Sequence, residues 1–135
     1  MKRAILAFVV SLVIYTMSNF VIHGVLLQPL YQQTPQLVRT PQDGAAHMPF
    51  LLLSFVVFTL AFVWIYARGV EAKAWLGQGI RYGLAIWLIA TVSRYLTYFA
   101  IQPWSPTVVA AQIGLELITT LLVSIVLAAL YRKPA

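Results

Sequence analysis

Cysteine is missing from this 135-residue chain, and acid is nearly missing: three aspartates and glutamates stand against nine lysines and arginines. Without cysteine there is no disulfide, no thiolate metal ligand and no thiol nucleophile, and the redox state of the compartment leaves no trace. Charge of any sign is scarce, at 9% of residues where soluble chains carry about 25%. What fills the chain is apolar: 61% hydrophobic residues and a mean hydropathy of +0.87. These residues come in long uninterrupted blocks without one-face periodicity, the pattern of a membrane protein.

Four blocks are long enough to cross a bilayer. The first runs over residues 4–27 behind Lys2 and Arg3; at 24 residues it exceeds the apolar region of a signal peptide, and we read it as a retained helix. The second, 49–67, opens on Pro49, which suits a helix first turn, and ends on a rim of Trp64, Tyr66 and Arg68. The third spans 80–101 and stops at Gln102-Pro103-Trp104-Ser105-Pro106; the fourth spans 107–131 and ends in Arg132-Lys133. The expected fold is all-α, an antiparallel four-helix transmembrane bundle forming one domain, with a loop at 28–48 and a second at 68–79. Lys2, Arg3, Arg68, Lys73, Arg81, Arg132 and Lys133 fall on one side and Arg39 on the other, which predicts cytoplasmic termini. Topology thus accounts for the basic charge, and no nucleic-acid partner is expected. The loop at 28–48, with prolines at 29, 35 and 41, reads as a solvated connector. Trp75 in the shorter loop is expected to dip into the headgroup region.

The halves share short matches. Ser18-Asn19-Phe20 before Leu27-Gln28-Pro29 parallels Ser93-Arg94-Tyr95 before Ile101-Gln102-Pro103, and Ile65-Tyr66-Ala67-Arg68 parallels Leu130-Tyr131-Arg132. Either these are chance matches of hydrophobic segments, or the chain is a pseudo-twofold repeat of two hairpins that pairs Asn19 with Arg94.

Two ionisable residues lie deep in these blocks. An ion at such depth costs about 2.5–3.5 kcal/mol on insertion scales and has either a partner or a task. Glu116, the only carboxylate inside a span, is the expected partner of Arg94. Gln112, Glu116, Thr120 and Ser124 recur every four residues, forming one polar stripe on the fourth helix. Asn19 and His23 are likewise four apart, with Tyr15 and Thr16 close to their face, while Thr91, Arg94, Thr97 and Tyr98 share a face of the third helix. Counted from the span ends, Arg94 and Glu116 lie roughly 10 and 14 Å below the outer boundary. The candidate ligand-binding or ion-pair residues are therefore Arg94, Glu116, Asn19, His23 and Gln112. For Asn19 and Gln112 interhelical hydrogen bonding is the preferred reading, whereas the charged pair suits function and helix docking equally.

No catalytic residue is assigned: the chain has no Ser-His-Asp set, paired carboxylates, His-Glu-x-x-His or phosphate loop. No cofactor or metal is assigned either. His23 admits a proton relay, a metal ligand or a haem ligand, and His47 on the same side gives the minimum for a bis-histidine haem; but only His23 is within a span, and a bond to a backbone carbonyl suits it better. Gly77, Gly79 and Gly83 sit in helical apolar flanks with no strand before them, so a nucleotide loop fails. Gly79 with Gly83, and Ala110 with Gly114, read instead as small-xxx-small helix contacts.

The stretch Tyr66-Ala67-Arg68-Gly69-Val70-Glu71, followed by Trp75-Leu76-Gly77-Gln78-Gly79-Ile80-Arg81-Tyr82-Gly83, has the look of a family signature, to which His23-Gly24 and Gln102-Pro103 add. In this the chain resembles small four-span bacterial inner-membrane proteins grouped as domains of unknown function. The likeness covers most of the chain; it implies a multi-pass place in the inner membrane and no particular activity. The first helix lacks the glutamate of small multidrug transporters, and the second lacks the Glu/Arg-rich pattern of membrane glutathione-metabolism proteins. Two functional expectations follow. One is a non-enzymatic accessory or interaction subunit of a homo-oligomer or membrane complex. The other is a small transporter or binding protein for an anionic or proton-coupled solute, lipid or quinone-like ligand.

Overall fold

The computed structural model describes residues 2–132, and Lys133 of the C-terminal basic rim lies outside them. All regular structure among the described residues is helical. Helix α1 (Lys2–Leu26) ends in a π-helical turn, Ile22–Leu26. The short α2 (Gln28–Tyr31) and a 3₁₀ turn (Pro35–Leu37) lead into α3 (Pro41–Gly69). Helix α4 (Trp75–Ile101) carries a π-helical segment at Trp87–Val92, and α5 (Pro106–Tyr131) closes the chain. The four long helices are apolar enough to cross a membrane. They also turn large apolar side chains outward, among them Ile5, Val9, Val13, Phe50, Leu53, Ile89 and Ile118, as lipid contact requires.

The helix starts correct two boundaries. Helix α3 begins at Pro41, eight residues before the expected Pro49, because Thr40 caps it by accepting from the Asp43 amide at 3.3 Å and Pro41 suits a first turn. Pro49 is inside the helix, and the expected loop at 28–48 shrinks to a partly helical link. Helix α4 likewise begins at Trp75, where residues up to 79 were expected to be loop. Trp75 packs against the core. For α5 the start is within one residue of expectation: Pro106 leads it, and Ser105 accepts from the Val108 amide at 3.3 Å.

Helix α5 is the central element, burying Gln112, Glu116, Thr120 and Ser124 along the stripe the sequence marks. It packs against α4 on one side and α1 on the other, and α1 in turn packs against α3. The contact with α4 is close because glycine allows it. A Cβ on Gly79 would stand 2.8 Å from the Ala128 Cβ and 3.0 Å from the Ser124 carbonyl oxygen, and one on Gly83 would overlap Ser124. The companion expectation for Gly114 fails: nothing lies within 4 Å of a Cβ placed there.

Helices α3 and α4 are not a packed pair. They meet through aromatic side chains toward the end that holds the termini: Tyr82 donates to the Phe62 carbonyl at 2.5 Å, and the Tyr66 ring stacks edge-on between Tyr82 and Tyr131 at 5.2 and 5.8 Å. Toward the other end the two helices part. A twofold repeat would make α1 with α5 equivalent to α4 with α3, so the packing departs from that symmetry. The π-helical turns depart too, since one follows Asn19 and the other precedes Arg94.

Candidate functional site

The gap between α3 and α4 is a cleft of about 470 Å³, floored by α1 and by Glu116 of α5. Its walls are largely aromatic and aliphatic: Tyr15, Phe20, Leu51, Phe55, Tyr95 and Tyr98. Its polar groups are Asn19, His23, Ser54, Arg94 and Glu116. Four of the five candidate residues, Asn19, His23, Arg94 and Glu116, thus share one cavity, and the fifth, Gln112, is one helical turn away.

Their pairing is not the expected one. Glu116 is buried and forms no salt bridge with Arg94; His23 Nε2 is 2.9 Å from Glu116 Oε1, and the Tyr95 hydroxyl donates to the same oxygen at 3.5 Å. The cause is register. The π-helical Ile22–Leu26 turn widens α1 where His23 sits, and the ring reaches across to α5. Such turns recur where function needs a side chain re-aimed. His23 was expected to bond a backbone carbonyl, and it is instead held between two side chains. Its Nδ1 is 2.6 Å from the Tyr31 hydroxyl, and the two rings lie parallel with centroids 6.1 Å apart.

Proton counting assigns the tautomer. Gln112 Nε2 donates to the Tyr31 oxygen at 3.1 Å, leaving the single Tyr31 proton for His23 Nδ1. Nδ1 then accepts, so Nε2 carries hydrogen and donates to the Glu116 carboxylate. With a neutral imidazole each contact in the line Gln112–Tyr31–His23–Glu116 has one donor and one acceptor. Burial pushes the Tyr31 phenol above its ordinary pKa; the Gln112 hydrogen bond opposes this, and the negative charge of Glu116 adds to it.

Arg94 is left over. Asp43 pairs with Arg39 at 2.6 Å and with His47 at 3.2 Å; Glu71 pairs with Lys73, whose hydrogen bond holds that carboxyl below its usual range. Among the described residues every carboxylate therefore has a partner, and none of those partners is Arg94. The guanidinium lies 5.1 Å from the Tyr95 ring centroid on the cleft wall. His47, the second imagined haem ligand, belongs to the Asp43 group and not to His23. Asn19 donates to the Tyr15 carbonyl of its own helix at 2.9 Å, so its bond is intrahelical and not across helices.

Tyr31 and Tyr95 were missed at the sequence level. For Tyr31 a signal existed: Pro29, one residue into a helical turn directly after the first span, folds residues 28–31 back over the helix ends. Trp104 of the α4–α5 link stands edge-on to Tyr31 with ring centroids 6.0 Å apart. Compared with protein-family models, with curated proteins and with solved structures, the chain shows no match.

Proposed function

We propose that this is a membrane-embedded binding protein, or small carrier, for an amphiphile with an anionic head group. One observation carries the reading: an arginine with no carboxylate in salt-bridge contact lines a cleft whose walls are otherwise largely apolar. A cation at bilayer depth needs a contacting anion or water, and Glu116, although it shares the cleft, contacts His23 instead. The volume falls within the range of small-molecule sites, and convergent polar groups at one place in apolar walls are their usual pattern. The lateral position, between helices that do not pack, suits a ligand entering from lipid. With the basic residues at the end of the termini taken as cytoplasmic, the cleft belongs to the outer leaflet of a bacterial inner membrane.

The accessory-subunit alternative, motivated by the absence of a catalytic set together with the small faces, loses the second of these supports, because the small face of Gly79 and Gly83 is filled by α5 of the same chain. No enzymatic step is proposed.

Purification from native membranes in mild detergent, followed by mass spectrometry of the retained amphiphiles, tests the proposal. The native chain should hold one anionic amphiphile enriched several-fold over bulk lipid, and Arg94→Gln should lose the enrichment. Arg94 is exposed on the cleft wall, so this variant should fold normally. Retention of lipids in bulk proportions, or equal retention by Arg94→Gln, overturns the proposal.

A further inference from the structure

The line of hydrogen bonds that ends on Glu116 begins outside the cleft. Tyr31 belongs to the connector beyond α1, half-buried beside Trp104, while Glu116 faces the cavity. Between them His23 offers one nitrogen to each, at 2.6 and 2.9 Å. We infer that the His23–Glu116 pair takes up one proton when an anion settles against Arg94, the proton arriving through Tyr31. The inference rests on the anionic-amphiphile reading and adds its regulation.

The charge balance supplies the reason. With a carboxylate at Glu116, a neutral His23 and a cationic Arg94, the cleft carries no net charge, and an arriving anion makes it negative in a medium where charge is poorly screened. One proton on the pair restores neutrality. The transfer balances atom by atom. A hydronium protonates the Tyr31 oxygen as the Tyr31 proton passes to His23 Nδ1, and the Nε2 proton passes to Glu116. The result is water, a neutral tyrosine, the opposite neutral tautomer of histidine and a carboxylic acid. Tyr31, with one proton and a spare lone pair, suits the step; Gln112 holds its oxygen in place.

Few other groups can compete for that proton. The titratable and charged side chains facing the pair are Tyr15 from α1, Tyr31 from α2, and Arg94, Tyr95 and Tyr98 from α4. Among the residues lining the cavity, α3 contributes none. Of these only Arg94 carries charge near neutrality, and arginine does not give up its proton.

The test is calorimetric titration with 1-decanesulfonate, which stays anionic and does not titrate, in buffers of differing ionisation enthalpy. Decanol serves as the neutral control. About one proton should be taken up per sulfonate bound in mildly alkaline buffer, and none with decanol. Glu116→Gln leaves the Arg94 charge unbalanced, so it should bind sulfonate more tightly than the native chain in the alkaline buffer, with the uptake abolished. Should that variant fail to fold, the infrared difference spectrum of the native chain decides, because sulfonate has no carbonyl: a new carboxylic-acid band must appear on binding. Sulfonate binding without uptake, uptake retained in Glu116→Gln, or no carbonyl band on binding overturns the coupling alone. No sulfonate binding by the native chain removes the reading beneath it.

Discussion

Glu116 and Arg94 were both legible as residues that need an explanation, and their partners were not. Depth in an apolar block is a one-dimensional quantity, and it placed both in the same half of the bundle correctly. Which of two nearby cations meets a carboxylate depends on rotation about the helix axis, and π-helical turns in α1 and α4 shift that rotation by an amount no spacing rule contains. Tyr31 stands outside every span, and only the Pro29 turn signal pointed to it. The observed pairing sets an order of mutational costs. His23→Ala leaves a buried carboxylate with only the long Tyr95 contact, and should cost about 1–3 kcal/mol or more of stability. Glu116→Gln keeps an oxygen that accepts from Nε2 and should cost less. Thermal unfolding in detergent checks this, and the reverse order would mean that His23 is not the principal partner of Glu116.

Among the elements, the α4–α5 contact was the part of the fold most readable from spacing. Gly79 and Gly83 stand four apart on one face, and the residues they meet on α5, Ser124 and Ala128, also stand four apart. The matching expectation for Ala110 and Gly114 failed because small size permits a close approach without requiring one. The two glycines should respond differently to alanine. At Gly83 the obstruction is mainly the Ser124 side chain, so Gly83→Ala should cost about 1–3 kcal/mol and be rescued by Ser124→Gly. At Gly79 the added carbon meets the Ser124 carbonyl and the Ile125 Cα, which are backbone, so the same second change should not rescue it. Unfolding of the four variants measures both. Equal rescue at the two positions would mean that α4 and α5 are not in this register. The start of α3 was misread for a related reason: Pro49 and Pro41 both suit a first turn, and the cap from Thr40 decided in favour of the earlier one.

For the whole molecule, four apolar helices follow directly from composition and block length, and the cleft does not. Its existence depends on α3 leaning on α1 while α4 leans on α5, so that α3 and α4 meet through Phe62, Tyr66 and Tyr82 toward one end and part toward the other. Pairwise preferences of this kind are spread over many weak apolar contacts, and no short motif encodes them. The account turns on how charge is divided within that cleft, with Glu116 committed to His23 and Arg94 left for a ligand. Nitrogen-15 NMR of the histidine-labelled protein reads that division, with His47→Gln assigning the signals. At a pH alkaline enough to keep the extra proton off the pair in every variant, His23 should appear as the neutral Nε2–H tautomer, be strongly altered by Glu116→Gln and keep that tautomer in Arg94→Gln. A His23 signal indifferent to Glu116→Gln, or one shifted as far by Arg94→Gln, would contradict it.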